Sequence, residues 1–202
     1  MTALLGALFS LYLLYLLWEA HAVRIARKKL AHVVHVNGTR GKSTVSRLIE
    51  AGLREGGMRV FCKTTGTDPM TIDVNGRKEP IHRRGKANIK EQIAILRRAA
   101  AQDAQVLVVE CMAITPEFQQ ASQRDILRAD IGVITNVRRD HTDVMGDTLP
   151  QIAEALCHTV PQGGVLLTAE TVMAERLKTA AEKNGSSFVC AEVRGDEGTV
   201  SY

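Results

Sequence analysis

Residues 31–55 read AHVVHVNGTRGKSTVSRLIEAGLRE. The first six residues (31–36) are an apolar, β-branched run that predicts a buried strand. Asn37 to Lys42 is a glycine-bearing turn, and 43–55 carry helical periodicity that stops at Gly56-Gly57. A glycine turn between a strand and a helix suits a phosphate. Backbone N–H groups and the positive end of the helix dipole face the anion, and glycines let the chain wrap it closely. In Asn37-Gly38-Thr39-Arg40-Gly41-Lys42-Ser43-Thr44, Lys42 is placed to reach phosphates and the Ser43 hydroxyl to ligate Mg²⁺. The general pattern G-x-x-x-x-G-K-[ST] requires glycine at position 36, where this chain has valine. The competing reading is a chance Gly-Lys-Ser turn at a strand–helix junction.

The rest of the chain repeats the alternation. Apolar strands are predicted at 58–63, 105–110, 130–135, 164–168 and 187–193. Helices are predicted at 88–102 with Asn88 as N-cap, after Thr115-Pro116, at 148–159 and at 170–183. Residues 64–87 are polar and rich in turn formers. Continuous apolar strands alternating with helices predict an α/β fold, a mostly parallel sheet flanked by helices. With 45% hydrophobic and 24% charged residues, the composition excludes disorder and low complexity.

Strand 105–110 ends in Glu110. A carboxylate at the C-terminal end of a parallel strand faces the ligand crevice and can hold Mg²⁺ or order a water. After strand 130–135 comes Thr135-Asn136-Val137-Arg138-Arg139-Asp140-His141-Thr142-Asp143. Together, the loop Gly38–Thr44, Glu110 and this nine-residue segment resemble the Mur ligase superfamily. The loop matches its G-[ST]-x-G-K-[ST]-[ST] pattern and the segment its T-N-[IV]-x-x-D-H-x-[DE] signature. The resemblance implies an ATP-binding central domain that uses Mg²⁺. It implies Asn37 to Thr44 and Asn136 as the ATP-binding set, with Asp140 shaping the nucleotide side. It also implies Lys42, Glu110 and His141 as catalytic residues, and Ser43, Glu110 and His141 as metal ligands. Many members carry a carbamylated lysine downstream of the metal-binding His. Here Leu156 takes that place, and no Lys lies between residues 91 and 177.

The chain is more similar still to the ligase subunits of bacterial poly-γ-glutamate synthases, through NGTRGKST, through Arg83-Arg84-Gly85-Lys86-Ala87-Asn88-Ile89, and through its N-terminus. That resemblance implies ATP-dependent addition of glutamate to γ-linked polyglutamate through an acyl phosphate, alongside other membrane subunits. The cationic set His82, Arg83, Arg84 and Lys86 suits a polyanionic substrate or the ATP phosphates, or is a solvated basic loop. An anchored P-loop ATPase or regulatory switch is the alternative activity. Ligases of this family need sequence beyond the nucleotide-binding core, so the chain reads as truncated after residue 202.

The first 18 residues hold four of the eight aromatics (Phe9, Tyr12, Tyr15 and Trp18) and no charge. Arg24, Arg27, Lys28 and Lys29 follow, opposed only by Glu19, and supply three of the chain's four net positive charges. The excess is local, which argues against a nucleic-acid binder. An apolar run at the short end of a bilayer span, then aromatics, then basic residues predicts one uncleaved transmembrane helix with the body in the cytoplasm. The expected organisation is an anchor over 1–20, a basic juxtamembrane segment over 21–30 and the ATP-binding domain over 31–202. Cys62, Cys111, Cys157 and Cys190 form no CxxC pair and read as buried thiols in a reducing compartment.

Overall fold

The computed structural model describes residues 2–66, 68–83, 85 and 88–191. Arg84, Lys86 and the expected continuation of the domain over 192–202 lie outside the described residues.

Helix α1 runs Thr2–Lys29 without interruption, across the expected division at residue 20. Residues 2–18 are exposed throughout, and this helix is long and apolar enough to cross a membrane. Its last turn carries Arg27, Lys28 and Lys29, which favours the negative end of the helix dipole. Val23, Ala26 and the following Leu30 are buried, so the C-terminal part of α1 belongs to the folded body.

Strand β1 (His32–Asn37) follows at once and lies between β5 (Val106–Glu110) and β6 (Ile131–Ile134), parallel to both. β2 (Val60–Thr64) extends the sheet beyond β5; β7 (Val165–Thr168) and β8 (Ser187–Cys190) extend it beyond β6, all parallel. Two short antiparallel strands, β3 (Met70–Ile72) and β4 (Lys78–Pro80), close the far edge. The order is β4-β3-β2-β5-β1-β6-β7-β8. The chain moves from β5 on one side of β1 to β6 on the other, a topological switch point with a crevice above the carboxyl ends of the strands.

Helix α2 (Lys42–Glu55) covers one face, packing Val45, Ile49 and Leu53 onto Val34, Val36, Val60, Cys62, Val106 and Val108. The other face buries Val33, Phe61, Leu107 and Val109 under α1 and α3 (Lys90–Ala101). A third cluster joins Ile134, Val137 and Leu166 to α6 (Leu149–Cys157) and α7 (Ala174–Lys183). Each fully buried aliphatic side chain contributes about 1.5–3 kcal/mol.

Four sequence expectations are revised. The turn-rich 64–87 stretch contains the β3–β4 hairpin, whose three-residue strands are too short to show a period; Asp73 Oδ1 closes its turn by accepting from the Asn75 and Arg77 N–H groups. Asn88 caps α3 from just outside it, accepting at Oδ1 from Lys90 N–H at 2.9 Å. Residues 170–173 precede α7 because the Glu170 side chain turns inward. Finally, Cys190 is exposed on the edge strand and Cys157 half-buried, unlike the buried Cys62 and Cys111. Between β6 and α6 stands a short helix, α5 (Thr142–Met145), and α4 (Pro116–Ala121) continues as a π-helical turn through Leu127.

Candidate phosphate and metal site

The glycines of the loop are required by close approach and by backbone angle. Gly38 has φ +128°, and a Cβ there would lie 2.2 Å from Thr135 Oγ1 and 2.9 Å from the Thr135 backbone nitrogen. Gly41, at φ +77°, turns the chain into α2, and its carbonyl accepts from Val45 N–H. The loop is held from the β6 side. Thr39 Oγ1 donates to Asn136 Oδ1 at 2.7 Å, Arg40 N–H donates to the same oxygen, and Asn136 Nδ2 donates back to the Arg40 carbonyl. Thr135 Oγ1 also donates to the Arg40 carbonyl at 2.7 Å. The structure thus places Asn136 on the loop backbone, where both ends of its amide are engaged.

Lys42 folds back over the loop, its ammonium donating to the Gly38 carbonyl at 2.7 Å. Ser43 Oγ donates to Glu110 Oε2 at 2.8 Å, and Thr65 N–H donates to that oxygen at 2.6 Å. Thr44 is exposed on the first turn of α2. Asn37 is buried at the end of β1, with Nδ2 donating to Gln119 Oε1 and Thr159 Oγ1. Its side chain ties β1 to α4 and the end of α6, a structural task that sequence reading does not separate from ligand binding.

His141 takes left-handed backbone geometry, φ +47°, at the start of α5. Asp140 accepts from its N–H and pairs with Arg40 at 3.2 Å, linking the signature segment to the phosphate loop. A buried acid not anticipated from sequence, Glu170, holds the other end. It accepts from Val137 N–H at 2.8 Å, from Val172 N–H, and from Arg138 Nη1 at 3.0 Å. Burial opposes the charge of Glu170. Its backbone donors and the Arg138 guanidinium outweigh that and hold its carboxyl below the usual range. Its one sequence signal is its place two residues beyond a parallel strand.

Asn37, Lys42, Glu110, His141 and Arg83 line one cavity of about 260 Å³ at the carboxyl edge of the sheet. The structure therefore brings together the expected catalytic residues, with Ser43 attached through Glu110. Arg83, expected at the substrate, stands at the same wall but is bound to Glu91 through Nε at 2.8 Å and Nη2 at 3.0 Å. His82 is exposed. Among the described residues, no three His, Cys, Asp or Glu side chains converge to enclose a metal by themselves. The Ser43 hydroxyl and Glu110 carboxylate are hard oxygen donors in direct contact, a set that fits a Mg²⁺ ion sharing its shell with phosphate oxygens and water. Leu156 is fully buried in the apolar cluster of α6 and offers no amine.

Comparison with known proteins places this geometry. The Mur ligase middle domain family matches residues 36–197. PGA synthase CapB of Bacillus subtilis is 42% identical over 161 residues, which cover 79% of this chain and 41% of the relative. Capsule biosynthesis protein CapB of Bacillus anthracis is 36% identical over 194 residues, 95% of this chain and 42% of the relative. The chain therefore spans about two fifths of the length of these curated relatives. Among solved structures, the apo form of L. casei FPGS superposes with a TM-score of 0.62 at 18% identity, covering 86% of this chain and 48% of that one. This last likeness is one of fold.

Proposed function

The chain belongs to the Mur ligase family, and from that membership we propose that it is the nucleotide-binding part of a membrane-anchored, ATP-dependent amide ligase. The substrate class proposed is glutamate and γ-linked polyglutamate, which agrees with the PGA synthase and capsule-biosynthesis relatives. The observation that carries the reading is the contact of Ser43 with Glu110 beside Lys42, under a glycine loop at the switch point of a parallel sheet.

ATP with Mg²⁺ supplies the phosphoryl group that activates a carboxylate as an acyl phosphate, from which the amine of glutamate displaces phosphate. The chain's own residues position and neutralise. Loop N–H groups and the α2 dipole bind phosphate oxygens, and Lys42 exchanges its loop carbonyls for them. Ser43, Glu110 and His141 are the proposed metal ligands. Asn136 and Asp140 keep the loop in shape. Positioned charge of this kind is the main source of phosphoryl-transfer catalysis.

We place α1 in the cell membrane as a single span with the domain on the cytoplasmic side, working with other membrane subunits of a polymer synthase. The apolar first 18 residues and the basic run Arg24 to Lys29 support this. The test is ATP turnover in membrane fractions carrying the chain, with and without glutamate, reading phosphate and polymer together. Phosphate release that requires glutamate supports the ligase. Hydrolysis indifferent to glutamate assigns an anchored P-loop ATPase or switch, and absence of nucleotide binding refutes both.

A further inference from the structure

Lys63, near the end of β2, is fully buried. Strand alternation sends Phe61 and Lys63 toward α3, away from the Cys62 face. Its ammonium contacts Glu91 Oε1 at 2.8 Å, Gln92 Oε1 at 3.1 Å and Met112 Sδ at 3.3 Å. Burial draws the Lys63 pKa down, and the Glu91 bond works against that. The same Glu91 carboxylate, in the first turn of α3, receives the two-pronged bond from Arg83. Burial opposes the Glu91 charge, and the bonds from Arg83 and Lys63 overcome it to keep the acid ionised.

One carboxylate thus stands between two cations. Among the described residues no second acid pairs with either, so the cluster holds an excess positive charge. Buried excess charge is costly unless an anion completes it. Arg83 spends two of its five N–H donors on Glu91. The side chain remains 22% exposed, and the residue lines the cavity that also holds Lys42, Glu110 and His141. The phosphate has its own cradle in the loop and Lys42. Arg83 approaches from the segment between β4 and α3, not from the loop.

We propose that Arg83 seats a carboxylate of the glutamyl substrate, and that Lys63 and Glu91 are positioning residues that fix its guanidinium at the cavity wall. The inference deepens the ligase reading and rests on it. A guanidinium held on one side by a carboxylate presents its remaining donors as a planar fork, the geometry a second carboxylate accepts. That carboxylate belongs either to free glutamate or to the γ-linked polymer.

The test is calorimetric titration of the detergent-solubilised full chain, saturated with ADP and Mg²⁺, with glutamate in one arm and a γ-linked glutamate oligomer in the other. Arg83→Gln is expected to weaken one of these ligands about tenfold or more, the equivalent of about 1.4 kcal/mol, with ADP affinity within about twofold of the wild type. The arm that responds identifies the carrier. Arg83→Lys is expected to recover only part of the loss, since an ammonium cannot form the fork. Glu91→Gln is expected to give the same selective loss with Arg83 still present. Unchanged binding of both ligands in Arg83→Gln overturns the inference, as does an equal loss of ADP affinity. A wild-type chain that binds ADP but neither ligand also overturns it, whereas failure to bind ADP at all refutes the ligase reading beneath it.

Discussion

Substituting the two loop glycines separately isolates the cost of contact from the cost of backbone conformation. In Gly38→Ala the new methyl would sit 2.2 Å from Thr135 Oγ1, 2.9 Å from Thr135 N and 3.2 Å from Asn136 N, at φ +128°. None of these neighbours can withdraw cheaply: the Thr135 hydroxyl is bonded to the Arg40 carbonyl and the Thr135 N–H to the Asn37 carbonyl. The strained backbone costs about 1–3 kcal/mol, and displacing a packed backbone costs about 1–3 kcal/mol more. Gly41→Ala meets nothing within 4 Å, at φ +77°, so only the backbone cost, about 1–2 kcal/mol, applies. At about 2–4 °C per kcal/mol for a chain of this size, Gly38→Ala should lower the unfolding midpoint by roughly 10 °C and Gly41→Ala by a few degrees. Circular dichroism melts of both variants in the same detergent measure the difference. If Gly41→Ala loses as much as Gly38→Ala, the close packing of the loop on β6 is not what requires glycine at 38.

Glu110→Gln keeps the shape of the acid but removes the charge that receives Ser43 and Thr65; nucleotide affinity measured with Mg²⁺ should fall about tenfold and change much less in chelator. His35 is fully buried, and burial, outweighing its Gln123 bond and aided by Lys63, brings its pKa down to about 4. Its neutral form supports the fold at full strength above about pH 6.5, and that support is lost as pH falls toward 4 because the unfolded chain takes up a proton the fold refuses. The loss amounts to about 3 kcal/mol over that window, of which urea melts at about pH 7 and pH 5 should show about 2 kcal/mol for wild type and less for His35→Gln. Cys190 should react with a maleimide in the native protein, whereas Cys62 and Cys111, whose thiols burial pushes up to about 12 and about 11, should react only after denaturation; mass spectrometry of labelled peptides distinguishes them.

The parallel strands and the loop are legible in the sequence because both depend on local pattern. Runs such as Val106–Val109 can only be buried, and Gly38 and Gly41 mark the turn they occupy. Glu110 is legible from its place at the end of a strand; Glu170 stands in the like place after β7, but in the sequence it is absorbed into the helix predicted from residue 170. What stays hidden depends on partners distant in the chain. Asn37 reads as part of the phosphate loop, but its side chain meets Gln119 and Thr159. The signature assigns Asn136 to the nucleotide, whereas its amide is engaged with Thr39 and Arg40. Lys63 is, in the sequence, only a charge ending an apolar strand; its meaning emerges once Glu91 and Arg83 are folded over it.

The division of α1 has a direct consequence. A juxtamembrane linker over 21–30 would tolerate removal, but Val23, Ala26 and Leu30 are in the core. Arg27 donates to the Arg128 and Leu30 carbonyls and pairs with Asp130 at 2.6 Å, and Asp130 in turn accepts from Val33 N–H at the start of β1. A chain beginning at Ala20 keeps all of this and loses only exposed apolar turns and the Trp18 stack with Arg97. It should remain soluble without detergent, bind ADP like the full chain and melt within a few degrees of it. A chain beginning at Leu30 loses the burial of Val23 and Ala26, about 2–4 kcal/mol, and the charged hydrogen bonds of Arg27, about 1.5–3 kcal/mol. That is a large part of the stability of a domain this size, so it should melt far lower or aggregate. Equal behaviour of the two truncations would show that the folded body begins at β1 and that α1 is an appendage throughout. If only the longer truncation fails, the domain reaches back to about residue 20, and the proposed anchor enters it as one continuous helix. The phosphate loop then stands one strand length, about 20 Å, beyond the end of that helix.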